Sequence, residues 1–251
     1  MARYFIFLAY NGAAYHGWQV QPNADSVQSR LQDALSILLR ERTEVVGAGR
    51  TDTGVHASMM VAHFDCQQPL DCAQLTFKLN RILPHDIAVH CVKPVVPDAH
   101  ARFLATSRTY HYYIHTHKNP FIHQFSLYVH YKLDFNLMNE AGKILTSYSD
   151  FAAFCKSHTD VKTTLCKVTQ AEWIKVDEDR YQFVITADRF LRNMVRAVVG
   201  TLIDVGRGRV TLDEFHRIIN GHSRSLAGES MPAHALFLHD ITYPECLFLK
   251  E

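Results

Sequence analysis

The sequence predicts an α+β fold, built of layered sheet and helices and repeated in outline over two halves. Three observations carry this. Short apolar runs rich in β-branched and aromatic residues alternate with amphipathic stretches of helical period. Each half presents these elements in a similar order, without a residue repeat at fixed spacing. The chain has 251 residues, 47% of them hydrophobic, enough for a sizeable core and more comfortably two domains than one.

In chain order, Arg3 to Tyr10 is the first expected strand, turned by Asn11-Gly12. The aromatic-rich loop Tyr15-His16-Gly17-Trp18-Gln19 follows. A helix is expected from Asp25 or Ser26, with Gln28 three residues after Asp25 as in a capping box. Its apolar face is Val27, Leu31, Ala34, Leu35 and Leu38. After a glycine-rich stretch, Met59 to Asp65 is a second strand. Asp71 opens a helix through Leu75, Leu79 and Ile82, halted at Pro84, and Ile87 to Val96 is a third strand.

The second half starts with an aromatic strand from Ser107 to His117 and a helix from Phe135 to Tyr148. After Asp150 to Phe154 and a polar loop, Glu172 to Val176 and Tyr181 to Thr186 form a hairpin around Asp177-Glu178-Asp179. Phe190 to Val205 carries a broad apolar helical face, on which Arg192 and Arg196 are four residues apart and so neighbours. Thr211 and Glu214 make a second capping box over Leu212, Phe215, Ile218 and Ile219, and Leu236 to Ile241 closes as a strand. The expected division is 1–103, carrying the glycine-rich loop, and 104–251, carrying the tyrosine strand and the arginine helix.

Composition bounds the function. Lys and Arg balance Asp and Glu to a formal charge of +1, so the distribution of charge matters more than its sum. Ala99 to Leu133 has no acid but holds Arg102, Arg108, Lys118, Lys132, six histidines and eight Phe or Tyr residues. Arg189, Arg192, Arg196, Arg207 and Arg209 form a second basic group, opposed within it only by Asp204. Cations interleaved with aromatics suit a phosphate backbone with stacked bases, although tyrosine-rich strands also build ordinary sheets. Six scattered cysteines without a C-x-x-C pair signal neither zinc nor a disulfide framework, which reads as a reduced, cytoplasmic chain. Sixteen histidines show no recognisable ligand spacing, so no metal is expected. No apolar run approaches the ~18 residues of a membrane span.

The chemistry centres on Gly47-Ala48-Gly49-Arg50-Thr51-Asp52-Thr53-Gly54-Val55-His56-Ala57. Its glycines permit positive φ and close approach, and it displays Asp52 beside Arg50 between two apolar anchors. Asp52 is the natural nucleophile or base; the plain alternative is a surface turn with solvated charges. A carboxylate enclosed in a base-sized pocket is pushed toward its neutral form by up to ~3–5 pKa units, and a guanidinium beside it opposes that by roughly 1–3 units. A reactive Asp52 therefore needs an arginine. Arg50 alternates away if the segment is extended, so Arg196, fixed on a buried helix, is the better partner, unless it is an ordinary surface arginine. Tyr110 lies in Arg108-Thr109-Tyr110-His111-Tyr112, where Tyr110 and Tyr112 share a strand face. One of them can stack on a planar ligand, or both are sheet tyrosines.

Together these segments resemble the TruA family of tRNA pseudouridine synthases, nearly end to end. Tyr15-His16-Gly17-Trp18-Gln19 is similar to the family's Y-x-G-W-Q, and Gly49 to Ala57 to its G-R-T-D-x-G-V-H-A, the most specific match. Ala101-Arg102-Phe103 with Arg108-Thr109-Tyr110 resembles the second motif, and Met194-Val195-Arg196 with Val199-Gly200 the third. Pro232 to Leu238, including Leu236, resembles the final block. The resemblance implies a pseudouridine synthase fold of two similar sheet-plus-helix domains around a central cleft. It implies that Asp52 is the nucleophile, that Tyr110 is the active-site tyrosine, which stacks on the uracil and can abstract a proton, and that Arg196 pairs with Asp52 and holds it ionised. Arg50 then helps displace or replace the flipped base, and Arg108 and Leu236 belong to the substrate-binding set, to which Arg192, where the chain departs from the family, adds an expected phosphate contact. The implied reaction is uridine to pseudouridine at positions 38, 39 and 40 of the tRNA anticodon arm, without cofactor, by a homodimer. Three positions depart from the family: Ala235 stands for a glycine, Met231 for a smaller residue, and Arg192 for an aromatic or histidine.

Two rival readings follow from parts of the same sequence. Asp52-Thr53-Gly54 is also the D-T-G triplet of aspartic proteases, but the chain has no second D-T-G or D-S-G, and a homodimer has to supply it. A non-catalytic RNA-binding module explains the acid-free stretch and leaves the glycine-rich loop without a role.

Overall fold

The computed structural model describes residues 1–156 and 162–250. The polar loop expected after Phe154 lies partly outside the described residues. The chain divides into two compact units, Met1–Thr106 with Phe237–Glu251, and Ser107–Leu236. The segment from Phe237 thus belongs with the first unit, whereas the sequence division kept all of 104–251 together.

In the first unit, β1 (Ala2–Tyr10) lies between β4 (Ile87–Val95) and β3 (His56–Cys66), antiparallel to both. β2 (Val46–Gly47) pairs with β3 antiparallel, and β9 (Leu236–Thr242) joins β3 in parallel through His56, Ala57, Phe237 and Leu238. Phe5, Ile6, Leu8, Met60, Val61 and Ala62 are fully buried, which fixes the register of the central pair, since a one-residue slip moves every side chain to the other face. Arg3 and Asp65 stand directly opposite across β1 and β3 in a two-point ion pair at 2.8 Å for each bond.

α1 (Val27–Leu39) and α2 (Cys72–Ile82) contact each other, and α2 packs on β4. Ser26 caps α1, but the reciprocal partner is Ser29 and not Gln28. Gln28 instead donates to Val45 O at 2.7 Å and accepts from Val20 N at 3.0 Å, tying α1 to the segments on either side. Asp71 caps α2 as expected; of its apolar residues Leu75 and Leu79 are buried, while Ile82, in the last turn, is 45% exposed. β3 starts at His56, inside the glycine-rich stretch and three residues before the expected Met59.

In the second unit, β8 (Arg180–Ala187) pairs antiparallel with both β5 (Ser107–His115) and β7 (Val168–Lys175). The two-residue β6 (Leu127–Tyr128) adds to β5 in parallel. α3 (Phe135–Leu145) lies against β7, α4 (Met194–Gly206) and α5 (Leu212–Asn220). The Thr211–Glu214 capping box of α5 is present. α4 is apolar almost all round, and only Arg196 and Asp204 of its residues are not buried, as suits a helix in the middle of a core.

α4 begins at Met194 and not at Phe190. Asn193 takes the left-handed conformation (φ 65°) and its side chain donates to Ser230 Oγ at 2.5 Å, so the helix cannot extend backwards. Phe190, Leu191 and Arg192 therefore sit in the preceding loop, and Arg192 is not a helical neighbour of Arg196.

Candidate active site

The loop between β2 and β3 is held from several sides. Val55 N donates to Asp52 O at 3.1 Å, closing a turn in which Gly54 has φ 78°, the positive value a type II turn asks of its third residue. Ala48 N donates to Val61 O at 2.8 Å. The Tyr10 hydroxyl bonds the Thr51 hydroxyl at 2.9 Å. From outside the loop, Gly12 and Gly17 press on it: a Cβ at Gly12 would lie 2.0 Å from Val55 O, and one at Gly17 2.2 Å from Thr51 O. His56, buried at the start of β3, accepts from Gly12 N at 3.0 Å through Nδ1 and stacks on Phe237 with ring centroids 4.6 Å apart. An acceptor Nδ1 carries no proton, which fixes the neutral ring as the Nε2–H tautomer. On this clamped backbone Asp52 is half-buried and Arg50 is exposed.

The other expected residues lie in the second unit. Tyr110, on β5 opposite Ile185, is half-buried, with its ring perpendicular to Phe190 at 5.0 Å. Tyr112 shares its strand face and is fully buried. Arg108 donates to Asp188 O at 2.7 Å, and the Asp188 carboxylate accepts from Lys167 N at 2.8 Å. Arg192 is exposed, with its carbonyl accepting from Lys156 N at 3.0 Å. The structure thus gathers Arg108, Tyr110 and the loop 188–192 at one end of β5 and β8. Leu236 is buried at the head of β9.

Arg196 occupies the third position of α4. Its Nε donates to Met231 O at 2.5 Å, and Met231 N returns a bond to Arg196 O at 3.1 Å. The run 228–231 can lie this close because Gly200 faces it; a Cβ there would meet Glu229 O at 1.8 Å. Gly228 N also donates to the buried Thr201 hydroxyl at 2.9 Å. Sequence reasoning missed the part played by Met231 and Pro232, by Phe190 and by Gly12. The signal for Gly12 is the Asn11-Gly12 turn just before the Y-x-G-W-Q segment, which does not reveal its contact with Val55, and for Phe190 it is its place in the apolar run before Met194.

His115 and His117, two residues apart in the chain, have separate partners. His115 is buried with Nδ1 3.0 Å from Ser126 Oγ, while the exposed His117 pairs with Asp179 at 2.6 Å. Among the described residues no group of three or more His, Cys, Asp or Glu is arranged to hold a metal ion, and no helix is long and apolar enough to cross a membrane.

A family model described as tRNA pseudouridine synthase matches residues 6–103 and 148–244. The chain belongs to the tRNA pseudouridine synthase family. It is 58% identical over 247 residues to the tRNA pseudouridine synthase A of Bacteroides fragilis, with 98% of each chain covered. The protein of that name from Parabacteroides distasonis is 56% identical over 252 residues, covering 100% of both chains. The one from Bacillus subtilis is 36% identical over 240 residues, 94% of this chain and 97% of its own. The observed α+β arrangement agrees with this synthase family's fold. Arg50, Asp52, Arg192, Arg196 and Leu236 fall within the stretches matched to the family, and Arg108 and Tyr110 lie between them.

Proposed function

We propose that this protein isomerises uridine to pseudouridine in the anticodon arm of tRNA, at positions 38, 39 and 40, with Asp52 as the nucleophile. Family membership supports the reaction, and the observation that carries the assignment of Asp52 is its loop. A turn closed by Gly54 and gripped by Gly12 and Gly17 presents one half-buried carboxylate on a backbone with little freedom. Positioning of that kind is what a covalent or near-covalent attack on the nucleoside requires.

The reaction breaks the N1–C1′ glycosidic bond, turns the uracil, and joins C5 to C1′. C5 gives up a proton and N1 takes one up, so the product contains the atoms of the substrate and no electrons are exchanged. No cofactor enters this scheme. The base must first leave its stack, at a cost of a few kcal/mol. Stacking on Tyr110, worth ~1–3 kcal/mol, and phosphate contacts from Arg108 and Arg192 offset that cost. Arg50, exposed at the mouth of the loop, fills the place of the flipped base, and Leu236 supplies apolar pocket wall. Arg196 supplies the cation that favours the carboxylate over the neutral acid at residue 52. Exclusion of bulk water keeps the detached uracil from escaping. In this reading the enzyme works in the cytoplasm as a homodimer, which light scattering on the purified protein checks.

The test is Asp52→Asn. The variant is expected to bind tRNA within several-fold of the parent and to form no pseudouridine when modified positions are mapped after incubation. Parental turnover by Asp52→Asn would remove Asp52 from the chemistry. Mapping on anticodon stem-loops with single uridines at 38, 39 or 40 tests the positional assignment separately.

A further inference from the structure

Tyr112 is a fully buried polar side chain that the proposed reaction does not use. Its hydroxyl donates to Pro232 O at 3.0 Å. The neighbouring carbonyl, Met231 O, is the acceptor for Arg196 Nε at 2.5 Å, and Met231 N bonds back to Arg196 O at 3.1 Å. Two consecutive carbonyls are therefore held by two side chains, one from β5 and one from α4. Arg196 holds the 231–232 peptide and Tyr112 the next one, 232–233; the Pro232 ring fixes φ between the two, so anchoring the second also places the acceptor at which the guanidinium points.

We infer that Tyr112 is a positioning residue for Arg196, its hydroxyl anchoring the Pro232 carbonyl so that the adjoining Met231 carbonyl holds the guanidinium in one orientation. This inference rests on the reading of Arg196 as the cation that serves Asp52. Phenylalanine would fill the same space on the strand face, so the oxygen is retained for its bond and not for packing.

The state of the hydroxyl agrees with a donor role. Burial pushes Tyr112 well above the usual tyrosine range; the nearby Arg196 charge opposes this and Tyr131 adds to it. The group therefore stays protonated over any pH at which the enzyme is assayed, and it acts by donating and not by accepting a proton. Tyr110, two residues earlier on the same face, is the half-buried tyrosine available to a ligand.

The experiment is a double-mutant cycle on full-length protein with tRNA as substrate. Tyr112→Phe is expected to lower kcat about tenfold, the rate equivalent of losing one hydrogen bond of about 1.4 kcal/mol. KM for tRNA should stay within about twofold, because binding of the ground state is not touched. The loss should be the same from about pH 6 to about pH 9, because the buried hydroxyl stays protonated throughout. Arg196→Lys lacks the Nε–H that Met231 O accepts, so adding Tyr112→Phe to it should cost little more. Full multiplicative losses in the double variant, or parental kcat in Tyr112→Phe, would overturn the positioning role. Parental kcat in Arg196→Lys would instead overturn the reading of Arg196 itself, and the role of Tyr112 with it.

Assays are run where circular dichroism shows every variant folded. A second measurement does not depend on turnover: with 15Nε-labelled arginine, Arg196 Nε–H should exchange with solvent faster in Tyr112→Phe than in the parent. Unchanged exchange would count against the anchor even if activity fell.

Discussion

His63 shows how one side chain ties the first unit to solution conditions. It is 5% exposed on β3, and its Nδ1 accepts from Ala101 N at 3.2 Å, a bond that only an unprotonated nitrogen can accept. Burial, helped by the Arg3 and His100 charges and opposed by Asp65, brings its pKa down from 6.5 to about 4. In the unfolded chain the ring protonates near 6.5, so between those values the unfolded state binds more protons. Its contribution is complete above about pH 6.5 and is lost as pH falls toward 4, amounting to at most about 3 kcal/mol. Arg3 holds Asp65 below the usual carboxylate range, and burial lowers His100, so both neighbours also favour the folded state at higher pH. Urea unfolding at about pH 7 and about pH 5 should show the loss, and His63→Gln should flatten the difference by up to one proton's slope. A parent whose stability is equal at the two pH values would contradict this account. Much at this scale is legible in the sequence. Glycine, acid and arginine in one short loop single out the stretch around Asp52, and the structure shows its backbone closed by the Asp52–Val55 bond with Gly54 at φ 78°. The partners of Arg196 are not legible, because Met231 lies 35 positions away and no local rule pairs them.

Helices announce themselves where a cap precedes an apolar stripe, as at Ser26, Asp71 and Thr211. The stripe misleads where tertiary contacts override it. Phe190 and Leu191 continue the period of α4, yet Asn193 turns left-handed under the bond to Ser230, and the helix starts late. The two-residue β6 is invisible in the sequence for a different reason: a pair of ladder residues carries no periodicity. Gly200 makes the dependence of α4 on its wrapping segment testable. Alanine raises helix propensity, and on that ground alone Gly200→Ala stabilises by up to ~1 kcal/mol. Against it stands a Cβ 1.8 Å from Glu229 O, which the run 228–231 can relieve only by moving off the helix. Overpacking of this kind costs about 1–3 kcal/mol, so the variant should be destabilised in urea despite the better helix former. The same movement displaces Met231 O, and kcat should fall with stability. A more stable Gly200→Ala would show that the segment yields freely.

Across the whole molecule, the two compact units do not follow the order of the chain. The first draws β9 from beyond the second and lays it beside β3, at His56 and Ala57, immediately after the Asp52 loop. Phe237 stacks on His56, Tyr243 donates to Ala101 O at 2.5 Å, and Thr106 N donates to Thr242 O at 2.9 Å. Sequence order alone assigns β9 to the second half, since nothing in a seven-residue strand names its partner. Deleting residues 237–251 should therefore weaken the first unit and leave the second largely intact. Hydrogen exchange checks this directly: protection should be lost in β3 and β1 while β7 and β8 keep theirs. Loss confined to the second unit would contradict the assignment.

The late arrival of β9 has a consequence for how the protein is made. A chain emerging from the ribosome exposes β3 with one open edge until the ribosome has produced everything through Leu238. Throughout that interval the Asp52 turn lacks the neighbour that covers His56, and the uncovered strand is an invitation to pair with another nascent copy. A product stalled before Phe237 therefore keeps an unfinished first unit, with His56 uncovered and the β3 edge at Ala57 unpaired.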